Sequence, residues 1–512
     1  MAAPAIANTP TNPPETHLGP VDSLKVEEER LKLLTANPPA EIFTVSDFHL
    51  GPGREARTQR FDSTENFLSD QAFSRFLNYS QPSAGKLLVI NGDTFDFVRI
   101  GDYPKTKKEF EEWSAFLRNL GIAKTPDQLQ NSVSHRERTF GLQTDDYKSV
   151  WKLRLIAKGH REFFQALAGW VNGGGSLLLS KGNHDLELYW PLVREALKDL
   201  LTTEGARKDA LDRVFYCDDS VRLANVYFEH GHKYDPQQRI KDGPVLPKQP
   251  SQLKLPLGIF VNRYLINRLE KLEPFIGSIR PQERVFWMLL HKHPISALGV
   301  LFHSAPFLLR AAKIVWLDNS FSFIIYFGSI LIYLISILAP LVTVLTIAAA
   351  LFYPPFWEWL SRPLGGQKNI GSIIMSVLGV AAPYLAAGLR EVVNRFSRKR
   401  QSPIGEDDFA RGVFETIKPL PFPTATRIYA VMGHTHDQDV QVLPDLNGAK
   451  VLYMNTGSWI PVWPENRPDL DGQVLLPYIH FRKEGGEYHH EYLEWRDDRG
   501  APAESYIMKP VD

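Results

Sequence analysis

Short apolar runs, each closed by a cluster of Asp, Asn, His and Gly, recur along the first half of the chain. Glu41-Ile42-Phe43-Thr44-Val45-Ser46 leads into Asp47-Phe48-His49. Lys86-Leu87-Leu88-Val89-Ile90 leads into Asn91-Gly92-Asp93-Thr94-Phe95-Asp96. After three glycines, Gly173 to Gly175, Leu177-Leu178-Leu179 leads into Ser180-Lys181-Gly182-Asn183-His184-Asp185. A short apolar run bounded by such residues reads as a strand buried on both faces. Helical spacing is found from Val26 to Leu34, from Ser63 to Tyr79, over most of residues 104–172, and from Trp190 to Leu201. Strand, helix and strand in succession is the grammar of a sheet with parallel strands, so an α/β fold is expected. Val221 to Glu229 reads as a further strand, ending in His230-Gly231-His232. Arg427 to Met432 is another, ending in Gly433-His434-Thr435-His436. Later β-like runs are Val451 to Asn455, Gln473 to Phe481 and Tyr488 to Trp495.

About 190 residues separate His232 from Arg427, and their composition differs from the rest. They read as an insertion within one α/β domain. Residues 1–39 then form a tail and short helix, and 40–236 the first part of the domain. The helical insertion takes 237–426, and 427–512 complete the domain. The insertion opens with a loop rich in Pro and Lys, Pro236 to Pro256. Leu257 to Leu317 mixes aliphatic and aromatic residues with Arg and Lys, as interfacial amphipathic helices do. Asn319 to Trp357 then contains no Asp, Glu, Lys or Arg, and Asn369 to Leu389 is a second uncharged run. A spanning helix needs roughly 20 apolar residues, so two transmembrane segments, 319–357 and 369–389, are expected. Pro340 would kink or split the first. Arg310 and Lys313 precede the first run, and Arg390, Arg395, Arg398, Lys399 and Arg400 follow the second. The connection between the runs has only Arg362 and Lys368. The positive-inside bias puts the α/β domain on the cytoplasmic side, and a hairpin lying in one leaflet would leave that side unchanged.

Composition changes this picture little. At 512 residues, two or three units are expected, and 44% apolar residues suffice for a large core. A formal net charge of zero gives no argument for nucleic acid as a partner. The single cysteine, Cys217, excludes an internal disulfide framework and fits a reducing compartment. Residues 1 to about 22 are rich in Pro, Ala, Thr and Asn without an apolar stretch, and read as a disordered tail.

Chemistry concentrates at the strand ends. Asp47, His49, Asp93, Asn183, His230, His434 and His436 are two carboxylates, one amide and four imidazoles. Such a mixed nitrogen and oxygen set suits Mn, Fe or Zn and not a thiolate site. Seven ligands exceed what one such ion takes, but suit two ions about 3.5–4 Å apart sharing a carboxylate. Asp-x-His and His-x-His spacings put alternate side chains on one side of an extended strand end. Arg54, just after the first cluster, is a candidate phosphate contact. Asn455-Thr456-Gly457-Ser458 is a candidate turn near the site, and His232 a candidate support for it. His135, His160, His291, His293, His303, His480, His489 and His490 lie outside these clusters and read as surface or core histidines.

In order, these clusters are Asp-x-His, Gly-Asp-x-x-Asp, Gly-Asn-His-Asp, His and Gly-His-x-His. The sequence here resembles the calcineurin-like metallophosphoesterase superfamily, over about residues 40–236 and 425–495. The resemblance implies a β-sandwich flanked by helices and a pair of divalent metals, Mn foremost, with Fe, Zn or Mg also suited. Asp47, His49, Asp93 and His436 would hold one metal. Asp93, Asn183, His230 and His434 would hold the other, with Asp93 bridging. His184 would be the imidazole that is not a ligand and protonates the leaving oxygen or contacts the phosphoryl group. Asp96 would orient it.

Within the superfamily the chain is most similar to the UDP-diacylglucosamine hydrolases of lipid A synthesis. They share the Asp-x-His-Leu opening (Asp47 to Leu50), Gly-Asp-x-Phe-Asp (Gly92 to Asp96) and a helical lipid-binding insertion in the same place. The chain departs at His184, where that family has Arg, and at His230-Gly231-His232, where it has His-Gly-Asp. Its insertion is also longer. The expectation is a membrane-anchored, two-metal phosphoesterase acting on a lipid-linked phosphoester or pyrophosphate, with membrane lipids and a phosphorylated substrate as partners. The rivals are a membrane-tethered phosphatase of phosphoproteins or nucleotides, and a non-catalytic membrane scaffold.

Overall fold

The computed structural model describes residues 20–279, 291–318, 406–463 and 468–505, apart from residue 56, together with residues 285, 288 and 289. Both uncharged runs, 319–357 and 369–389, lie outside the described residues, as do residues 1–19. Among the described residues no helix is long and apolar enough to cross a membrane.

The fold is mixed α/β. Four strands, β1 (Glu41–Val45), β2 (Lys86–Asn91), β3 (Ser176–Ser180) and β4 (Val214–Cys217), run parallel side by side. Next come β5 (Ser220–Leu223), β6 (Val226–Glu229), β7 (Arg427–Met432), β8 (Gln438–Leu446) and β9 (Ala449–Thr456). The last three are β10 (Pro477–Glu484), β11 (Glu487–Arg496) and β12 (Ala501–Glu504). The larger sheet has the order β12-β11-β10-β1-β2-β3-β4 and the smaller β8-β9-β7-β6-β5. In the smaller sheet β6, β7 and β9 are parallel.

Side-chain alternation explains the layers. Ile42, Leu87, Val89 and Leu178 point from the larger sheet into a core shared with Phe228, Tyr429, Val431 and Met454 of the smaller one. Their neighbours Phe43, Val45, Leu88, Ile90, Leu177 and Leu179 point the other way, into a second core under helices. That core takes Phe73 and Phe76 from the helix Asp70–Tyr79, and Phe163, Phe164 and Leu167 from Arg161–Asn172. Phe73 and Phe163 stack with ring centroids 4.3 Å apart. Strands covered on both faces have no polar side, which is why β1 to β3 are continuous apolar runs. Each fully buried Leu or Phe contributes about 1.5–3 kcal/mol by leaving water.

Several boundaries differ from the sequence reading. Val221 to Glu229 is two strands folded back at Ala224, whose φ is +51°. The helix expected from Ser63 begins only at Asp70, because the Glu65 carboxylate takes the Phe67 N–H. Gln473 to Phe481 divides into Gln473–Val474 and Pro477–Glu484. The chain divides into two compact units, Met1–Ser304 with Ala410–Asp512, and Ala305–Phe409. The second begins well after residue 237, since the start of the insertion is bonded into the first unit. Arg263 donates to the Gly141 and Leu142 carbonyls, and Asn267 to that of Val98.

Candidate metal centre

Five parallel strand ends supply the site. Asp47 and His49 follow β1, Asp93 follows β2, and Asn183 and His184 follow β3. His230 follows β6, and His434 and His436 follow β7. The two sheets are tied together at this rim by Asn91, the last residue of β2. Its amide donates to the Glu229 carbonyl at 2.8 Å and the Val431 carbonyl at 3.1 Å. Asp47 accepts the His434 backbone N–H, joining the ends of β1 and β7.

All seven expected ligands converge. His49 Nε2 stands 3.7 Å from Asp47 Oδ1, 3.7 Å from Asp93 Oδ2 and 2.9 Å from His436 Nε2. His436 Nε2 is 3.4 Å from Asp47 Oδ1. On the other side of Asp93, Oδ2 is 3.2 Å from His230 Nε2. Asn183 Oδ1 lies 3.1 Å from His230 Nε2 and 3.0 Å from His434 Nδ1. Three overlapping groups therefore form a chain: Asp47, His49 and His436; His49, Asp93 and His184; and Asp93, His230 and His434, with His49 and Asp93 each shared by two.

The backbone is bent to achieve this. Eleven described residues other than glycine have positive φ, and Asp47, His49, Asp93, His434 and His436 are five of them. Each such residue costs on the order of 1–3 kcal/mol. Strain concentrated on the ligand set marks a place where geometry is held at the expense of stability. The motif glycines serve the same approach. A Cβ on Gly182 would run into Asp93, one on Gly433 into Asp47 and Ser46, and one on Gly92 into the His230 ring. Each glycine thus makes room for a side chain carried by a different strand end from its own.

Supporting bonds fix which atom of each ligand faces inward. His230 Nδ1 lies 2.9 Å from the Asn91 carbonyl, turning Nε2 to the site. His434 Nε2 lies 3.2 Å from Asp235 Oδ2, turning Nδ1 to the site. Asp185 takes the Thr94 and Gly182 N–H groups and holds the second and third clusters in register. The expected turn at Asn455 braces the same rim: Asn455 donates to the Gly433 carbonyl and Thr456 meets Ser46, which bonds Asp47. Beside the ligands, His184 Nδ1 is 2.8 Å from Asp96 Oδ2, and the His184 and His49 rings meet edge to face.

The electrostatics follow from two carboxylates buried together. Burial opposes the charge on both. Hydrogen bonds from His436 and His49 hold Asp47 well below the usual carboxylate range, and His230 and His184 do the same for Asp93. Burial also works against a charge on His49, yet Asp47 and Asp96 raise it to about 10. Asp93 raises His230, against its burial, to about 9. At His436 burial prevails and lowers it to about 4.

The donor set fits a metal. Two imidazole nitrogens face each other at 2.9 Å, and one amide oxygen faces two more. A divalent cation satisfies such converging lone pairs at once and offsets the carboxylates without protons.

Two candidates are not among these converging donors. Arg54 stacks over the Phe61 ring, 3.8 Å from its centroid, and donates to the Gln59 carbonyl, so it is engaged within its own loop. Among the described residues His232 Nδ1 has no hydrogen-bond partner, and burial and the neighbouring His230 and His434 hold the ring well below the usual histidine range. Asp235 was not identified from the sequence; it lies 199 residues from His434, and no spacing signals the contact. No family model matches the chain, and no curated protein matches it.

Proposed function

We propose that the chain is a membrane-anchored, metal-dependent phosphoesterase that hydrolyses a phosphoester or pyrophosphate bond of a lipid-linked substrate. The observation that carries the reading is the overlap of three donor groups at His49 and Asp93, with His184, hydrogen-bonded to Asp96, in the middle group. Asp47, His49, Asp93 and His436 would hold one divalent ion, and Asp93, Asn183, His230 and His434 a second. Bound divalent ions supply Lewis acidity toward phosphoryl oxygens and lower the pKa of water.

The protein's own groups do the rest. Burial opposes a charge on Asp96, but His184, His49 and Arg99 outweigh it and hold its carboxyl well below the usual range. An ionised Asp96 accepts a hydrogen bond from the His184 Nδ1–H, so that in the imidazolium the Nε2–H is the proton that can pass to a departing oxygen, leaving the neutral Nδ1–H imidazole. Asp235 and the Asn91 carbonyl keep His434 and His230 from rotating, so their inner nitrogens stay aimed at the site.

The insertion supports a lipid substrate. Ile295 and Phe302 are 85% and 83% exposed on the helix Pro294–Asp318. Seven residues apart, they stand about two turns along one face, as residues that enter a bilayer interface do. The uncharged runs 319–357 and 369–389 follow in the sequence, and the bias of their flanking Arg and Lys supports a cytoplasmic catalytic domain. The test is hydrolysis by the purified full chain, with Mn, of phospholipids, lipid pyrophosphates, nucleotides and phosphopeptides. Metal-dependent release from the lipid substrates is expected. A metal-loaded protein inert toward all four classes refutes the reading, and turnover of nucleotides or phosphopeptides alone favours the tethered phosphatase. Protease protection in sealed vesicles tests the side: a shielded catalytic domain refutes the cytoplasmic placement.

A further inference from the structure

Asp96 faces three partners, with His49 Nδ1 3.5 Å from its Oδ2 and two others closer. Its Oδ2 takes His184 Nδ1 at 2.8 Å and Arg99 Nε at 2.9 Å, and its Oδ1 accepts the Arg99 backbone N–H at 3.2 Å. Arg99 is buried. Its Nη1 reaches the Thr64 carbonyl at 3.1 Å and the Glu270 carboxylate. Glu270 is fully buried and lies 171 residues further along the chain, on the short helix Asn267–Glu270 of the insertion. Its other oxygen takes the Gly277 N–H at 3.3 Å. The same helix is keyed to the same loop by Asn267, which donates to the Val98 carbonyl at 2.6 Å.

A row of four groups therefore runs from the insertion to the candidate acid: Glu270, Arg99, Asp96, His184. Burying a carboxylate and a guanidinium is costly, and apolar side chains of similar volume would hold the same packing as well or better. Arg99 fixes the plane of the Asp96 carboxylate, and so the direction in which His184 is held. Glu270 neutralises Arg99. Without it, the full guanidinium charge would fall on Asp96 and weaken that carboxylate as the partner of His184.

We propose that Glu270 and Arg99 are positioning residues that make the alignment of His184 depend on the seating of the insertion segment Leu257–Ser278 against the catalytic domain. The effect on turnover rests on the phosphoesterase reading above. An insertion that engages a lipid surface would then set the proton donor as well as bring substrate to it.

The test compares the wild-type full chain with Glu270→Gln and Glu270→Asp, using two soluble esters and one activity-independent signal. 4-Nitrophenyl phosphate loses its leaving oxygen without a proton; phenyl phosphate needs one. Glu270→Gln is expected to lower kcat on phenyl phosphate by about 10–100-fold, the range for a supporting group. A much smaller loss is expected on 4-nitrophenyl phosphate, with KM and metal content held and Glu270→Asp recovering part of the rate. Equal losses on both esters, or no loss on either, overturn the coupling. The second arm is the downfield proton signal of His184 Nδ1–H in metal-free protein, assigned by its disappearance in His184→Ala. It should shift or vanish in Glu270→Gln, and an unchanged signal overturns the proposal. A wild type that hydrolyses neither ester faults the phosphoesterase reading, while the proton signal still decides the positioning role.

Discussion

His160 offers the most quantitative check on how the site is braced. Its ring is fully buried between two carboxylates, with Nδ1 3.0 Å from Asp70 and Nε2 3.0 Å from Glu65. Burial opposes its charge, but Glu65 and Asp70 raise it to about 10. The sign follows from the unfolded value of about 6.5. A group raised on folding stabilises fully below its unfolded pKa, and that contribution fades as pH climbs through the folded one. The rise is worth up to about 5 kcal/mol at about 1.4 kcal/mol per unit. Removing one partner of a buried ionic group costs about 3–5 kcal/mol, in agreement. His160→Gln should therefore lose about 3–5 kcal/mol at pH 6, read by urea unfolding with tryptophan fluorescence. The gap to the wild type should close between pH 7 and about 10, because only the wild type gives up an imidazolium proton. The consequence reaches the metal centre. Glu65 also takes the N–H groups of Gly51 and Gly53, just beyond His49. A gap below about 1 kcal/mol at pH 6, or one constant across that range, would refute the charged bridge.

Three further outcomes follow from the site. Gly182→Ala should lose most bound metal in a protein that keeps its far-UV circular dichroism, since the added Cβ meets Asp93; unchanged loading contradicts the packing argument. His184→Ala should keep its metal and lower turnover by roughly 10²–10⁴-fold, with Asp96→Asn milder in the same direction; loss of metal in His184→Ala would make it a ligand instead. Asp235→Asn should weaken metal affinity by about 10–100-fold through a freed His434, seen by chelator competition.

What could be read from the sequence was what a strand's own neighbourhood dictates. β1, β2 and β3 are apolar on both faces because both faces are covered, so they appear as plain runs with polar ends. The candidate ligands sit directly on those ends, and the motif glycines mark where donors must pass close to backbone. The turn at Ala224 carried no signal, since a non-glycine takes the positive φ there. It is held by Asn225, whose amide donates to the Arg427 and Tyr488 carbonyls, far along the chain. β4 is four residues without alternation and is stabilised by its place beside β3. The bridges Glu65–His160–Asp70, Arg99–Glu270 and Asp235–His434 join residues about 90 to 200 apart, and only tertiary packing brings them together.

The central claim is that Asp93 joins two metal sites. The direct measurement is divalent metal content per chain, by elemental analysis of wild type and Asp93→Asn after saturation with Mn, Fe or Zn and removal of excess. About two ions per wild-type chain are expected, and far fewer in folded Asp93→Asn. A folded wild type that retains none of these ions, or an Asp93→Asn variant that retains as many, would contradict it.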